Sequence, residues 1–181
     1  SAGGVRAQFS DPVNVALGLR SLAAFERFSD RPGGEIDLHQ VGYLFLHSEP
    51  DAWAAAQDAV ALQQSLGVDS RVLSADEAGR LSPGVETGDV LGATYHSRDG
   101  YCTPEAVVQG YARGARARGA MVRTGVEVTA IEVSGGEVRG VVTPVGRVAA
   151  STVVCATGAW SGGVAATAGV ELPVAPLRRQ I

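Results

Sequence analysis

The chain has 181 residues, 45% of them hydrophobic and 19% charged, with a formal net charge of -4 at pH 7, a globular composition with room for one or two modest cores. The acidic balance lacks the basic face a nucleic-acid footprint needs, and no run of like charge marks an interaction tail. No stretch approaches the roughly 18 uninterrupted apolar residues of a membrane span, no basic region followed by an apolar run opens the chain, and the two cysteines, Cys102 and Cys155, have no ligand-like spacing, so a cytoplasmic protein without metal or disulfide framework is expected.

The chain opens on Ser1-Ala2-Gly3-Gly4, a glycine-rich turn that can wrap closely around a ligand. Asp11-Pro12 then caps and opens a helix, with Val15, Leu19, Leu22, Phe25 and Phe28 at helical spacing and Arg31-Pro32-Gly33-Gly34 as its stop. Residues 38–46 read as a strand flanked by His39 and His47, and no third ligand-type residue joins that pair to make a metal site. Ser48-Glu49-Pro50-Asp51 has the form of a capping box, opening a helix with the stripe Ala52, Ala55, Ala59, Leu62 and Leu66, and Trp53 is expected to close the edge of its packing. Ser74-Ala75-Asp76-Glu77 is a second capping box, for a short helix ended by Ser82-Pro83-Gly84, and a strand follows over 90–95.

The segment from His96 to Pro104 is polar, with Asp99-Gly100 as a turn signal. His96 and Cys102 invite a nucleophilic Cys–His reading, which the absence of an orienting third group disfavours. Thr103 is placed as the N-cap of a helix burying Val108, Tyr111, Ala112 and Ala115, with Arg113, Arg116 and Arg118 in water. Beyond Gly119 the pattern is β: a short strand at 121–123, an alternating stretch from Val126 that needs a bulge near Ala130, a hairpin at Ser134-Gly135-Gly136, and a further turn at Pro144-Val145-Gly146. A buried strand over 152–156 then runs through Gly158 into a helix beginning near Ser161.

That last run, Val-Val-Cys-Ala-Thr-Gly-Ala-Trp-Ser from Val153 to Ser161, resembles the second flavin-contacting motif of the FAD-dependent D-amino-acid oxidase superfamily, the group of sarcosine oxidase, glycine oxidase and dimethylglycine dehydrogenase. Ser1-Ala2-Gly3-Gly4-Val5-Arg6-Ala7-Gln8-Phe9 resembles the loop after the first nucleotide-binding unit of sarcosine-oxidase-like members, and residues 176–181 resemble the strand after their second motif. The resemblance implies FAD as cofactor, contacted by Ala2, Gly3, Gly4, Val128, Ala156, Thr157, Gly158 and Trp160. Val128 would offer its main chain to the adenine edge. Arg6 would lie near the reactive ring as the catalytic candidate, stabilising an anionic reduced flavin or gripping a substrate carboxylate. The implied reaction oxidises the C–N bond of a small amine or amino acid to an imine, in a parent that is itself a subunit of a larger oxidase or dehydrogenase.

The implied fold class is α+β: a substrate-binding mixed sheet with helices plus an incomplete FAD-binding α/β domain. Residues 1–34 are assigned to the flavin-contact loop and packing helix, 35–100 with 171–181 to the substrate-binding portion, and 101–170 to the partial FAD-binding portion. No Gly-x-Gly-x-x-Gly occurs in the sequence, so the cradle that seats the FAD pyrophosphate is missing. The chain is therefore read as a central fragment, inactive alone. The alternatives are a fragment of a nicotinamide-dependent dehydrogenase and a non-catalytic α/β binding domain.

Overall fold

A computed structural model describes residues 3–178 and divides the chain into two compact units, Ser1–Met121 and Val122–Ile181. In the first, β1 (Gly4–Val5) pairs antiparallel with β5 (Gly100–Tyr101). A three-stranded sheet of order β2-β4-β3 is formed by β2 (Tyr43–His47), β3 (Arg71–Leu73) and β4 (Gly92–His96). The α+β class expected from the sequence is observed. Within it this sheet is antiparallel rather than mixed, because β4 enters between β2 and β3 and runs against both.

Helix α1 (Pro12–Glu26) starts as its sequence dictates. The Asp11 carboxylate accepts from the amides of Val13 and Asn14, and Pro12 occupies a position where no N–H is needed. Its stripe of Val15 and Leu22 joins Phe28, Val5, Ala7, Ile36, Val68 and Cys102 in the principal core. Helix α2 (Pro50–Ser65) departs from expectation at its start, where Glu49 is the N-cap and makes no side-chain cap; Pro50 supplies the helical φ instead. Its buried face is rotated from the expected alanine stripe to Val60 and Gln63, with Trp53 packed against Gly92 and His47. Helix α3 (Ala75–Leu81) carries the full capping box of Ser74 and Glu77 and packs Ala78 against Leu73 and Ala93 on one face of the sheet.

Helix α4 (Pro104–Ala117) corrects a second reading. Val108 and Tyr111 are exposed, and the buried positions are Gly110 and Gly114. The buried Phe28 ring seats on Gly110 and Pro32 on Gly114, so two glycines one turn apart form the groove that hydrophobic periodicity assigned to larger residues. Thr103 is the N-cap but makes no side-chain cap; its hydroxyl donates to Asp37 Oδ2 at 3.4 Å.

The second unit is a β-meander of β6 (Ala130–Ser134), β7 (Glu137–Thr143) and β8 (Gly146–Ala149). It turns at Gly135-Gly136, and its register shifts between Glu132 and Val133, beyond the expected bulge near Ala130. The expected strands at 121–123 and 152–156 do not form, nor does a strand form over 171–178, because none of these stretches has a ladder partner among the described residues; residues 179–181 of the expected strand over 176–181 lie outside them. Helix α5 (Ser161–Ala166) is tied to the meander where the Ile131 amide donates to Thr167 Oγ1 at 2.9 Å.

The α4 groove gives opposite signs for one chemical change. Gly110→Ala drives a methyl into the Phe28 ring and is expected to cost about 1–2 kcal/mol after the helix-propensity gain of about 1 kcal/mol. Gly79→Ala in α3 meets only Thr87 atoms at 3.7 Å and should stabilise by about 0.5–1 kcal/mol. Urea unfolding of the two variants measures both; equal signs would refute the packing assignment.

Candidate functional site

The segment after β1 carries the first cluster. Gly3 is buried with φ of 78°, and its carbonyl accepts from the Cys102 amide at 2.9 Å. A Cβ at Gly3 would run into the Cys102 carbonyl, so internal packing alone requires that glycine, whereas one at Gly4 would meet only the tip of the Tyr43 side chain. Ala2 lies outside the described residues. Arg6 points outward with its guanidinium carbon 4.9 Å from the Phe9 ring centroid and 5.3 Å from that of Phe45, a cation–π seat on two faces.

Arg6 and Phe9 line two clefts. One, of about 490 Å³, lies along α1 and includes Gly4, Asn14, Ser21 and Tyr43. The other, of about 430 Å³, lies between α2 and the sheet face that carries Phe45, His47 and Thr94.

What fixes this segment is a buried carboxylate. Asp99 is 0% and His96 1% exposed; His96 Nδ1 donates to Asp99 Oδ1 at 2.6 Å. The same carboxylate accepts from the Ala7 amide at 2.9 Å and from Gln8 Nε2 at 3.1 Å, and Gln8 Nε2 also donates to the Tyr43 carbonyl at 3.0 Å. His96 ties Asp99 to β4, and the Ala7 and Gln8 donors tie the β4 turn, and through Gln8 also β2, to the two residues following Arg6. His96 is committed to Asp99, and burial pushes the Cys102 thiol up, which leaves Cys102 a protonated packing residue and not a nucleophile.

His39 and His47 do not act together. His39 pairs with Asp37 at 2.8 Å and stacks on Tyr101, while His47, whose pKa burial lowers, faces Trp53. Among the described residues no group of three metal-ligating side chains forms.

In the second unit Gly158 takes φ of 55°, a left-handed turn that glycine enters freely, with open space where a Cβ would stand. Ala156, Thr157 and Trp160 around it are exposed, Trp160 at 77%. Thr157 Oγ1 lies 3.3 Å from Cys155 Sγ and donates to Ser161 Oγ at 3.2 Å; the Thr157 hydrogen bond draws the Cys155 thiol below its ordinary pKa. Val128 is exposed in the irregular chain ahead of β6.

The chain as a whole has known relatives. The FAD dependent oxidoreductase family, DAO, matches residues 1–181. The chain belongs to that family.

Among relatives of this DAO chain, mitochondrial dimethylglycine dehydrogenase of Rattus norvegicus is 23% identical over 180 residues, 99% of this chain and 21% of that protein. Among solved structures, L-proline dehydrogenase from P. horikoshii superposes with a TM-score of 0.85 at 28% identity, covering 93% of this chain and 44% of that one. Glycine oxidase from Geobacillus kaustophilus gives 0.81 at 28% identity, covering 97% and 49%. The chain thus spans about a fifth of the dimethylglycine dehydrogenase and under half of the two solved enzymes.

The superfamily resemblance read from the 153–161 run and from both ends of the chain, and the expectation of FAD, are both borne out. No helix among the described residues is long and apolar enough to cross a membrane.

Asp99, Gln8, Phe9 and Phe45 were not singled out from sequence, because their contacts join residues up to 92 positions apart; the Asp99-Gly100 turn was the one visible signal. Asp99→Ala strands the Ala7 amide and the Gln8 and His96 donors, and is expected to cost about 3–5 kcal/mol, read in urea unfolding together with fast exchange of the Ala7 amide. A loss below 1 kcal/mol would show the carboxylate to be dispensable. In thiol labelling, Cys155 should react in the native state and Cys102 only on unfolding, with Thr157→Val moving the pH midpoint of the Cys155 reaction upward. Simultaneous reaction of both thiols, or no movement of the midpoint, contradicts this.

Proposed function

We propose that this chain forms part of an FAD-dependent oxidoreductase that oxidises the C–N bond of a small amine or amino acid, with Arg6 as the residue acting next to the substrate. The observation that carries the reading is the state of Arg6: exposed, seated on two aromatic rings, and without an ion pair among the described residues, directly after the glycine turn, in a member of a flavin family. Such a guanidinium keeps its donors for an incoming carboxylate or for negative charge developing on a ring.

The residues present fit the cofactor in kind. The open left-handed turn at Gly158, flanked by exposed Ala156, Thr157 and Trp160, gives a flat ligand access to main chain. With Gly3, Gly4 and Val128 these residues are the proposed FAD contacts. FAD, when bound, supplies the two-electron acceptor for the carbon beside the amine. This chain's contribution is to hold the substrate's anionic end, through Arg6, and to keep that grip rigid through Asp99 and Gln8. Dimethylglycine dehydrogenase, L-proline dehydrogenase and glycine oxidase, by their names, act on small amino acids, which supports that substrate class here. The same matches support flavin over a nicotinamide cofactor.

Because Gly-x-Gly-x-x-Gly is not among these 181 residues, we further propose that the chain by itself binds FAD weakly and does not turn over. FAD titration followed by flavin fluorescence should give an affinity weaker than about 1 μM, that is less than about 8 kcal/mol of binding free energy. Tighter binding defeats the weak-binding statement. In a flavin-loaded protein containing this segment, anaerobic addition of the substrate amine should bleach the flavin, and Arg6→Gln should raise KM for carboxylate-bearing substrates about 10-fold or more; an unchanged KM removes Arg6 from the site.

A further inference from the structure

We propose that the cleft between the C-terminal halves of α1 and α4 and the turn at residues 29–33 binds an organic phosphate, its head on Arg31 and Arg118 and its body against Tyr111 and Pro32. The cleft, of about 410 Å³, lies in the size range of small-molecule sites. A second cleft of about 320 Å³ adjoins it, sharing Ala24 and Arg31 and adding Arg27 and Asp30. The parts converge at Gly114. A Cβ there would strike Pro32, and Arg118 donates an N–H to the Gly114 carbonyl at 2.9 Å, its terminal nitrogen 3.5 Å from that same Cβ point. One glycine thus brings together the turn that carries Arg31 and the guanidinium of Arg118, four of whose five N–H donors stay uncommitted. The Tyr111 ring is fixed by an edge-to-face contact with the buried Phe28, centroids 5.2 Å apart, and gives the cleft an apolar wall.

Charge identifies the ligand. Where an arginine serves the fold through an ion pair, a carboxylate stands beside it: Arg98 pairs with Glu26, Arg139 with Glu137 and Arg147 with Glu132. Arg27, Arg31 and Arg118 have no carboxylate partner among the described residues. Helix dipoles account for Arg27 and Arg118, the C-cap residues of α1 and α4. They do not account for Arg31, whose extended backbone, φ -159° and ψ 118°, sets it outside both helices. Asp30 is the one carboxylate lining either cleft, and it forms no ion pair with the three arginines. A positive surplus thus gathers here in a chain whose net charge is -4, inside concave walls that concentrate its field. A monocarboxylate would leave part of that surplus unmatched. A phosphate monoester places close to two negative charges on one centre and offers three oxygens to guanidinium forks arriving from the turn and from α4. Tyr111 and Pro32 then take its organic part.

Isotope-labelled chain is titrated with phenyl phosphate, and in parallel with phenol and succinate, following the backbone amides of Arg31 and Ala115 by NMR. Phenyl phosphate is expected to shift both amides, with phenol and succinate weaker by about tenfold or more. Arg31→Gln and Arg118→Gln should each weaken binding about tenfold, and Asp30→Asn should tighten it about threefold by removing the opposing charge. Arg80→Gln, which removes an exposed arginine of α3 that lines neither cleft, should leave it unchanged. If Arg118→Gln lowers Tm through its lost bond to Gly114, Arg31→Gln carries the test, since the Arg31 side chain makes no hydrogen bond among the described residues. Ala24→Leu, at an exposed helix position, should fill the cleft and abolish the shifts at an unchanged Tm. No shift of either amide, equal binding of phenol or succinate, an equal loss in Arg80→Gln and Arg31→Gln, or binding of an oligonucleotide where phenyl phosphate does not bind overturns the assignment.

Discussion

A carboxylate with no exposed surface sets the geometry of the first unit. Burying the Asp99 carboxylate requires donors that replace the water it has lost, and they come from three directions: the imidazole of His96 on β4, the amide of Ala7, and the side chain of Gln8. None of these is optional, since a lone buried charge costs several kcal/mol. The requirement fastens the segment that follows β1 to the β4 turn and, through the second bond of Gln8, to β2. Arg6 stands at the head of that fastened segment, so its direction is inherited from a residue it does not touch.

Sequence reading succeeded where a local rule decides the outcome. Asp11-Pro12 and Ser74 with Glu77 are complete within four residues, and both caps form as written. Failures came at the starts of α2 and α4, where Pro opens the helix without a side-chain cap, and where the determinant was volume or a distant partner. Periodicity counts apolar side chains, so α4 was given a face of Val108 and Tyr111; the face that packs is made of glycines, because Phe28 and Pro32 need the room. The stretch 152–156 has the composition of a strand but no neighbour to pair with among the described residues, and β structure exists only in pairs.

The site divides in the same way. Gly3, Gly4, Arg6 and the Ala156–Trp160 run were visible because their wording matches a family, not because any pattern of spacing required them. Gln8 and Asp99 were not visible, since a glutamine or an aspartate in a sequence carries no mark of what will surround it. Even a glycine can have two sufficient reasons: Gly3 gives way to the Cys102 carbonyl whether or not a ligand lies nearby. Internal packing and ligand contact can select the same residue, so its presence alone cannot decide between them.

The means by which Arg6 is held decides what it can do. A carboxylate partner would fix the guanidinium as firmly but would consume its charge and its hydrogen-bond donors, leaving nothing for a substrate. Ring faces of Phe9 and Phe45 fix it through the quadrupole and leave the N–H fork unspent. The fully buried carboxylate of Asp99 is therefore spent on the main chain beside Arg6 and not on Arg6 itself. Rigidity and availability, which oppose each other in an ion pair, are supplied here by separate groups.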